Sequence, residues 1–310
     1  MSARDRKSLW DYAVHSPGPP LSGHVLVGVD GSQEAGRALD RAAAEARTRL
    51  APLEILHAWP WAGHAAGPGA DDPRSRVDRA RDVLEDAAAR VREHAPELEV
   101  IQTLSPEPAA TELVRRGDRA ALTVLGSRGS GRVAEVLARS VTLRAAARCG
   151  SPLLVVRGAW APVEPEHGTV LVGVADDVDA GAARFAFEEA HRYGAQVWAL
   201  HVSAVPELSG GLRAPPAERP GTDLRTLLES EAAVPRTTVA ALREKFPEVG
   251  VRIDTVRGAA GALVEATRVA DLVVITARHR HGRGLGPHTG SFTHALLHHA
   301  HCPVALVPVG

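Results

Sequence analysis

The chain has 310 residues, 45 per cent hydrophobic and 24 per cent charged, with a formal net charge of −1 and an isoelectric point near 7.0. Its length predicts two compact units, each able to bury its own core. A near-neutral balance without blocks of like charge argues against DNA or RNA as a partner, and no apolar stretch approaches the roughly 20 residues a membrane-spanning helix needs.

Residues 1–22 lack the apolar segment of a secretory signal and end in Pro and Gly, so they read as a flexible tail and the chain is expected to be cytoplasmic. Cys149 and Cys302 belong to no CxxC pair and fit buried thiols in a reducing compartment.

From residue 24 the pattern is strand, turn, helix. Residues 24–29 read as a strand, Asp30-Gly31-Ser32 turns the chain and supplies an N-cap, and Ala35, Ala38, Leu39, Ala42, Ala43 and Ala46 recur at helical spacing. "LEILHAW" from Leu53 predicts a second strand, followed by a Gly/Pro-rich loop. Val77, Ala80, Val83, Leu84, Ala87, Ala88 and Val91 mark a second helix. "LEVIQTL" is strand three, residues 109–117 a short helix, "ALTVL" strand four, residues 133–147 a helix and "LLVV" strand five. Strands alternating with helices predict an α/β fold with a parallel sheet, right-handed crossovers and helices on both faces.

The pattern then repeats. "HVLVGVDGSQEAGRALDRAAAEA" from His24 returns as "TVLVGVADDVDAGAARFAFEEA" from Thr169, and "SPLLVV" from Ser151 returns as "CPVALV" from Cys302. The boundaries follow: a tail at 1–22, a first domain at 23–157, a Pro-rich linker at 158–168 and a second domain at 169–310.

Ligands of such sheets sit at the carboxyl ends of the strands, where strand order reverses. This rule selects Asp30, His57, Ala58 and the loop "GSRGSGRVAEVLARS" from Gly126. The loop reads either as an anion-binding nest, with Arg128 adding a charge-assisted bond, or as a Gly-rich connector with no ligand. A Walker A loop is excluded because neither lysine, Lys7 nor Lys245, follows a glycine. A dinucleotide fingerprint, Gly129-x-Gly131-x-x-Ala134, lacks its later acidic residue. No GxSxG or HExxH occurs. His294, His298, His301 and Cys302 have metal-ligand spacing but read more simply as a His-rich surface helix and loop, and no protein-held metal is expected. Val141 and Leu143 read as the core face of a helix.

These residues resemble the universal stress protein family in its tandem-domain form. The likeness spans nearly everything from His24 to Pro308 and rests on "VLVGVDGS", "LHAW", "VLGSRGSGRVAEVLARS" and "GSFTHALLHHAHCPVALV" in that order. The resemblance implies two doubly wound domains, each a five-stranded parallel sheet of order 3-2-1-4-5. The family's ATP-binding branch carries Gly-x2-Gly-x9-Gly-Ser/Thr; here Gly126, Gly129 and Ser140 match, and Arg139 stands at the third glycine. On that resemblance Asp30 contacts adenine, and Gly28, Val29 and Ala58 line the base pocket. Ser140 and Val141 hold phosphate or ribose, and Arg139 either blocks the backbone or reaches a phosphate. In the second copy Ala175 replaces the Asp, Ala277 and Arg280 stand for the first two glycines, and only Gly290-Ser291 survive, so that half reads as non-binding or altered.

The expected function is therefore a stress-response protein that binds ATP, or ADP or AMP, with no metal beyond a nucleotide-bound Mg. Nucleotide occupancy would regulate an unidentified protein partner. No residue pair is placed to activate water, so ATP hydrolysis, if it occurs, is slow and the chain reads as a binding module. The alternatives are a nucleotide-free interaction scaffold with a decayed pocket and a slow adenine-nucleotide hydrolase. The resemblance also implies pairing of the two domains through their fifth strands, and a homodimer is compatible with it.

Overall fold

The computed structural model describes residues 23–59, 73–127, 141–146, 148–157, 166–203, 224–257, 260–277, 279–280, 288–289 and 291–309. The chain divides into two compact units, Met1–Val163 and Glu164–Gly310. Among the described residues no helix is long and apolar enough to cross a membrane.

In the first unit β1 (Val25–Gly28) leads through a turn to α1 (Gln33–Arg49). Then follow β2 (Leu53–Ala58), α2 (Pro73–His94), β3 (Val100–Ser105), α3 (Ala109–Gly117), β4 (Leu122–Ser127), α4 (Val141–Ala146) and β5 (Leu153–Arg157). All strand pairings in this unit are parallel and the order is β3-β2-β1-β4-β5, as expected. Val25 lies opposite both Leu53 and Leu122, so the three central strands start level. Val25, Leu26, Val27, Leu53, Ile55 and Val124 are fully buried, as a sheet covered on both faces requires. The strand order reverses between β1 and β4, which puts the switch point at the carboxyl end of β1.

Helix α1 shows how local chemistry sets an element. Ser32 is in extended backbone and its Oγ accepts from the Ala35 N–H at 3.2 Å, satisfying one free amide of the first turn. The buried stripe Ala35, Ala38, Leu39, Ala42 and Ala46 is made mostly of methyl groups, so the helix sits very close to the sheet. It ends at Leu50, a left-handed residue with φ of 53° whose N–H bonds back to Ala46 and Arg47.

A buried polar cluster lies toward the amino ends of the strands. His24 Nε2 is 3.0 Å from Glu54, Thr103 donates to Glu54 at 2.7 Å, and Arg116 pairs with Glu54 and, at 2.5 Å, with Glu112. Burial pushes the Glu54 pKa up, but hydrogen bonds from His24 and Thr103 and the charge of Arg116 outweigh it and hold the carboxyl below its ordinary value.

The second unit repeats the plan. It runs β6 (Thr169–Gly173), α5 (Ala180–Tyr193), β7 (Gln196–Ser203), α6 (Leu224–Lys245), β8 (Val251–Arg257), α7 (Ala260–Ala266), β9 (Leu272–Ala277), β10 (His279–Arg280), β11 (His288–Thr289), α8 (Ser291–His299) and β12 (Val304–Pro308). Its main-sheet order, β8-β7-β6-β9-β12, is again 3-2-1-4-5. Two further features are described in this unit. A 3-10 turn, Asp177–Asp179, precedes α5, and β10 and β11 form a two-residue antiparallel ladder after β9. Helix α5 ends at left-handed Gly194, the counterpart of Leu50.

Candidate functional site

The chain leaves β1 under tight backbone control. The Val29 N–H donates to the Leu56 carbonyl at 2.9 Å, and the Val29 carbonyl lies 2.8 Å from His57 Nδ1. With Val29 fixed, Asp30 follows, its Oδ1 accepting from the Ser32 N–H at 3.0 Å, and Gly31 makes the turn at φ of 78°, where a side chain would be strained. The second Asp30 carboxylate oxygen makes no hydrogen bond among the described residues, and the side chain is exposed.

At this exit a pocket of about 150 Å³ opens between β1 and β4. Leu56, Ala58, Leu113 and Leu125 give it apolar walls, Asp30, Ser32 and Glu34 a polar rim, and Ala35 and Gly126 a narrow flank, while Val141 and Thr142 approach from the start of α4. Flat apolar walls with a few convergent polar groups suit an aromatic ring bearing hydrogen-bonding edges.

The structure thus gathers Gly28, Val29, Asp30, Ala58, Gly126 and Val141 around one cavity. Arg128, Gly129, Arg139 and Ser140 lie outside the described residues, as does most of the helix expected over 133–147. Val29 lines the pocket with its N–H already bonded to Leu56. Val141 is 38 per cent exposed and borders the pocket, so it is not a core position.

Gly126 has a packing role that its loop does not suggest. A Cβ there would lie 2.4 Å from the Glu34 carbonyl oxygen and 3.1 Å from the Ala35 nitrogen. The glycine admits the first turn of α1 against β4, and that contact also shapes the flank of the pocket. Gly28 serves similarly: a Cβ would meet Leu125 at 2.7 Å and Leu113 at 3.4 Å, two of the pocket walls.

Leu56, Leu113, Leu125, Glu34, Ala35 and Thr142 join the site without having been expected there. The period-two alternation that pairs Leu56 with Ala58 could have revealed the first, but nothing short of packing reveals Leu113, which comes from α3. The strap from His57 to Val29 was legible only by its recurrence: His201 Nδ1 lies 2.7 Å from the Val174 carbonyl in the second unit.

That unit departs from the first at the same exit. Val170 pairs with Leu272 and Val25 with Leu122, which sets Thr276 at the position of Gly126. The expectation that Ala277 stands there is therefore shifted by one residue, and side chains one apart on a strand face opposite sides. Thr276 is 6 per cent exposed, and its hydroxyl has no hydrogen-bond partner among the described residues. Ala175 follows Val174 where Asp30 follows Val29. Asp179, 3 per cent exposed, accepts from the N–H groups of Ala175 at 2.6 Å and Asp176 at 3.2 Å.

The His294 and His298 ring centroids lie 4.2 Å apart with the planes tilted by 31°, and among the described residues no three His, Cys, Asp or Glu side chains converge as a metal-binding group. Both cysteines are buried free thiols; burial pushes Cys149 up to about 12 and raises Cys302 as well, so neither is a nucleophile at neutral pH.

The family model described as the universal stress protein family matches residues 22–157 and again 167–308. A universal stress protein of Mycobacterium tuberculosis is 31 per cent identical over 295 residues, covering 90 per cent of this chain and 95 per cent of its own. One from Mycolicibacterium smegmatis is 30 per cent identical over 307 residues, covering 91 and 96 per cent. The crystal structure of a universal stress protein from Archaeoglobus fulgidus has a TM-score of 0.67, covers 93 per cent of this chain and 99 per cent of its own, and at 14 per cent identity attests the fold alone.

Proposed function

The chain belongs to the universal stress protein family, and from that premise we propose that its first unit binds an adenine nucleotide, ATP foremost, and acts as a nucleotide-dependent regulatory module. The observation that carries this is the pocket at the switch point. Its walls, Leu56, Leu113 and Leu125, are apolar, and at its rim Asp30 keeps one carboxylate oxygen unbonded among the described residues. A purine stacks between aliphatic walls, and a carboxylate at the edge accepts from its amino group or from ribose hydroxyls. The phosphates would leave toward the Gly126 loop, where Arg128 and Arg139 bring positive charge. Occupancy can regulate a partner only if the nucleotide binds one conformation better than another, and the start of α1, carrying Glu34 and Ala35 on the pocket flank, is the element best placed to differ.

Titration calorimetry with MgATP on the full chain tests the proposal. Asp30→Ala should weaken binding by roughly 10-fold to 100-fold, the range for losing a hydrogen bond to a charged group. No heat and no thermal shift at millimolar ATP would reject nucleotide binding and leave the pocket as part of an interaction scaffold.

A further inference from the structure

The two units differ at three positions around the β1 exit, and in the second unit two of the three replacements are buried. Helix ends set one part of the correspondence: the left-handed C-caps Leu50 and Gly194 match, and Asp176, which caps the 3-10 turn before α5, falls in the same frame opposite Ser32, the cap of α1. The buried helical stripes match in the same frame, Ala38 with Ala182 and Ala42 with Ala186. In that frame Asp179 stands at the position of Ala35, whose methyl group flanks the first unit's pocket. Strand register sets the other part and puts Thr276 at the position of Gly126. The strand frame and the helix frame differ by one residue, so the turn between them is one residue shorter in the second unit.

We propose that the second unit's nucleotide site is closed by its own side chains. Asp179 acts as a built-in anion on the turn that leaves β6, and Thr276 puts a buried side chain at the position where Gly126 has none. The chain therefore takes one nucleotide, and the second unit keeps its β6 exit ordered whether or not nucleotide is present. This rests on nucleotide binding by the first unit. The chemistry is direct: a buried carboxylate needs hydrogen-bond donors, and Asp179 finds two at its own unit's turn, Ala175 and Asp176. A ligand reaching that turn would have to displace a charge-assisted bond of 2.6 Å. The loss of the Asp30 carboxylate at Ala175 removes the group that would recognise such a ligand, so closure and loss of recognition go together.

Titration with MgATP and residue-resolved amide exchange on the full chain test this together. The expected result is one ATP per chain, with the Ala175 and Asp176 amides protected equally with and without ATP. Asp179→Ala should speed exchange at those two amides by about tenfold or more, while Val170 to Val172 in β6 stay protected. Asp179→Asn, which keeps one acceptor oxygen, should give a smaller acceleration and covers the case in which the alanine variant fails to fold. Two ATP per chain, ATP-dependent protection at Ala175 or Asp176, or unchanged exchange in both Asp179 variants would overturn the proposal. A wild-type chain that takes no ATP would reject nucleotide binding in the first unit, and exchange in the Asp179 variants would still decide whether the second is self-closed.

Discussion

Gly126→Ala is the substitution most sensitive to the packing described for the first unit. The added Cβ would lie 2.4 Å from the Glu34 carbonyl oxygen and 2.7 Å from its carbonyl carbon, where ordinary contact begins at 3.4 Å. Both are backbone atoms of α1, so no side-chain rotation relieves the overlap, and the first turn must retreat by roughly 1 Å in an interior packed as densely as a crystal. Overpacking of this kind costs about 1–3 kcal/mol, and at about 2–4 °C per kcal/mol for units of this size the melting temperature should fall by roughly 2–12 °C. Gly36→Ala is the internal control. Gly36 lies inside the same helix, and a Cβ added there would meet nothing within 4 Å, so alanine should stabilise by about 0.5–1 kcal/mol through helix propensity. Calorimetric melting of the full chain, with amide exchange in β1 identifying the first unit's transition, measures both. Equal effects of the two substitutions, or a Gly126→Ala change within about 0.5 kcal/mol of zero, would refute the argument that Gly126 exists for the α1 approach.

Two further outcomes follow from the first unit. Leu50 holds a left-handed φ of 53° while 95 per cent exposed, so Leu50→Gly relieves backbone strain without losing packing and should raise stability by about 1 kcal/mol in urea unfolding; a loss would show that Leu50 packs against something in solution. Glu54 and Glu112 are both held below the ordinary glutamate value of 4.5, burial opposing and the bonds from His24, Thr103, Arg115 and Arg116 prevailing. A carboxylate with a depressed folded pKa contributes stability that is complete above its unfolded pKa and is lost as pH falls through the folded value. The urea midpoint of the first unit should therefore drop as pH is lowered from 5 to 3, on the order of the glutamate titration range. Glu54→Gln should cost roughly 3–5 kcal/mol at pH 7, as breaking a buried pair does, and flatten that acid dependence; an unchanged acid slope would show that the cluster does not titrate with folding.

The duplication and the alternation of strands and helices were legible in the sequence because each rests on a local period, the switch-point rule pointed to the pocket, and the strand order came from the family resemblance. Alternating strand and helix patterns identify the sheet, the VGV triplet marks the same strand twice, and the switch-point rule leads from there to Asp30, Ala58 and Gly126. The walls were not legible, because Leu113 reaches the pocket from α3 across the thickness of a layer and carries no local signature. Matching the two copies by motif misleads for a sharper physical reason. Aligning "GSRG" with the loop after β9 sets Ala277 against Gly126, a small residue for a small one, and so suggests a gradual loss of ligand contacts. Strand register moves that alignment by a single residue and reverses the face. Thr276 then occupies a position where, in the first unit, even a methyl group would meet the backbone of α1. The second unit carries Thr276 where its turn is one residue shorter and α5 begins behind the Asp177–Asp179 turn. The same shortening brings Asp179 onto the Ala175 and Asp176 amides. A turn one residue shorter thus accompanies both the buried hydroxyl and the buried carboxylate, so the difference between the halves lies in how the strand exit is built.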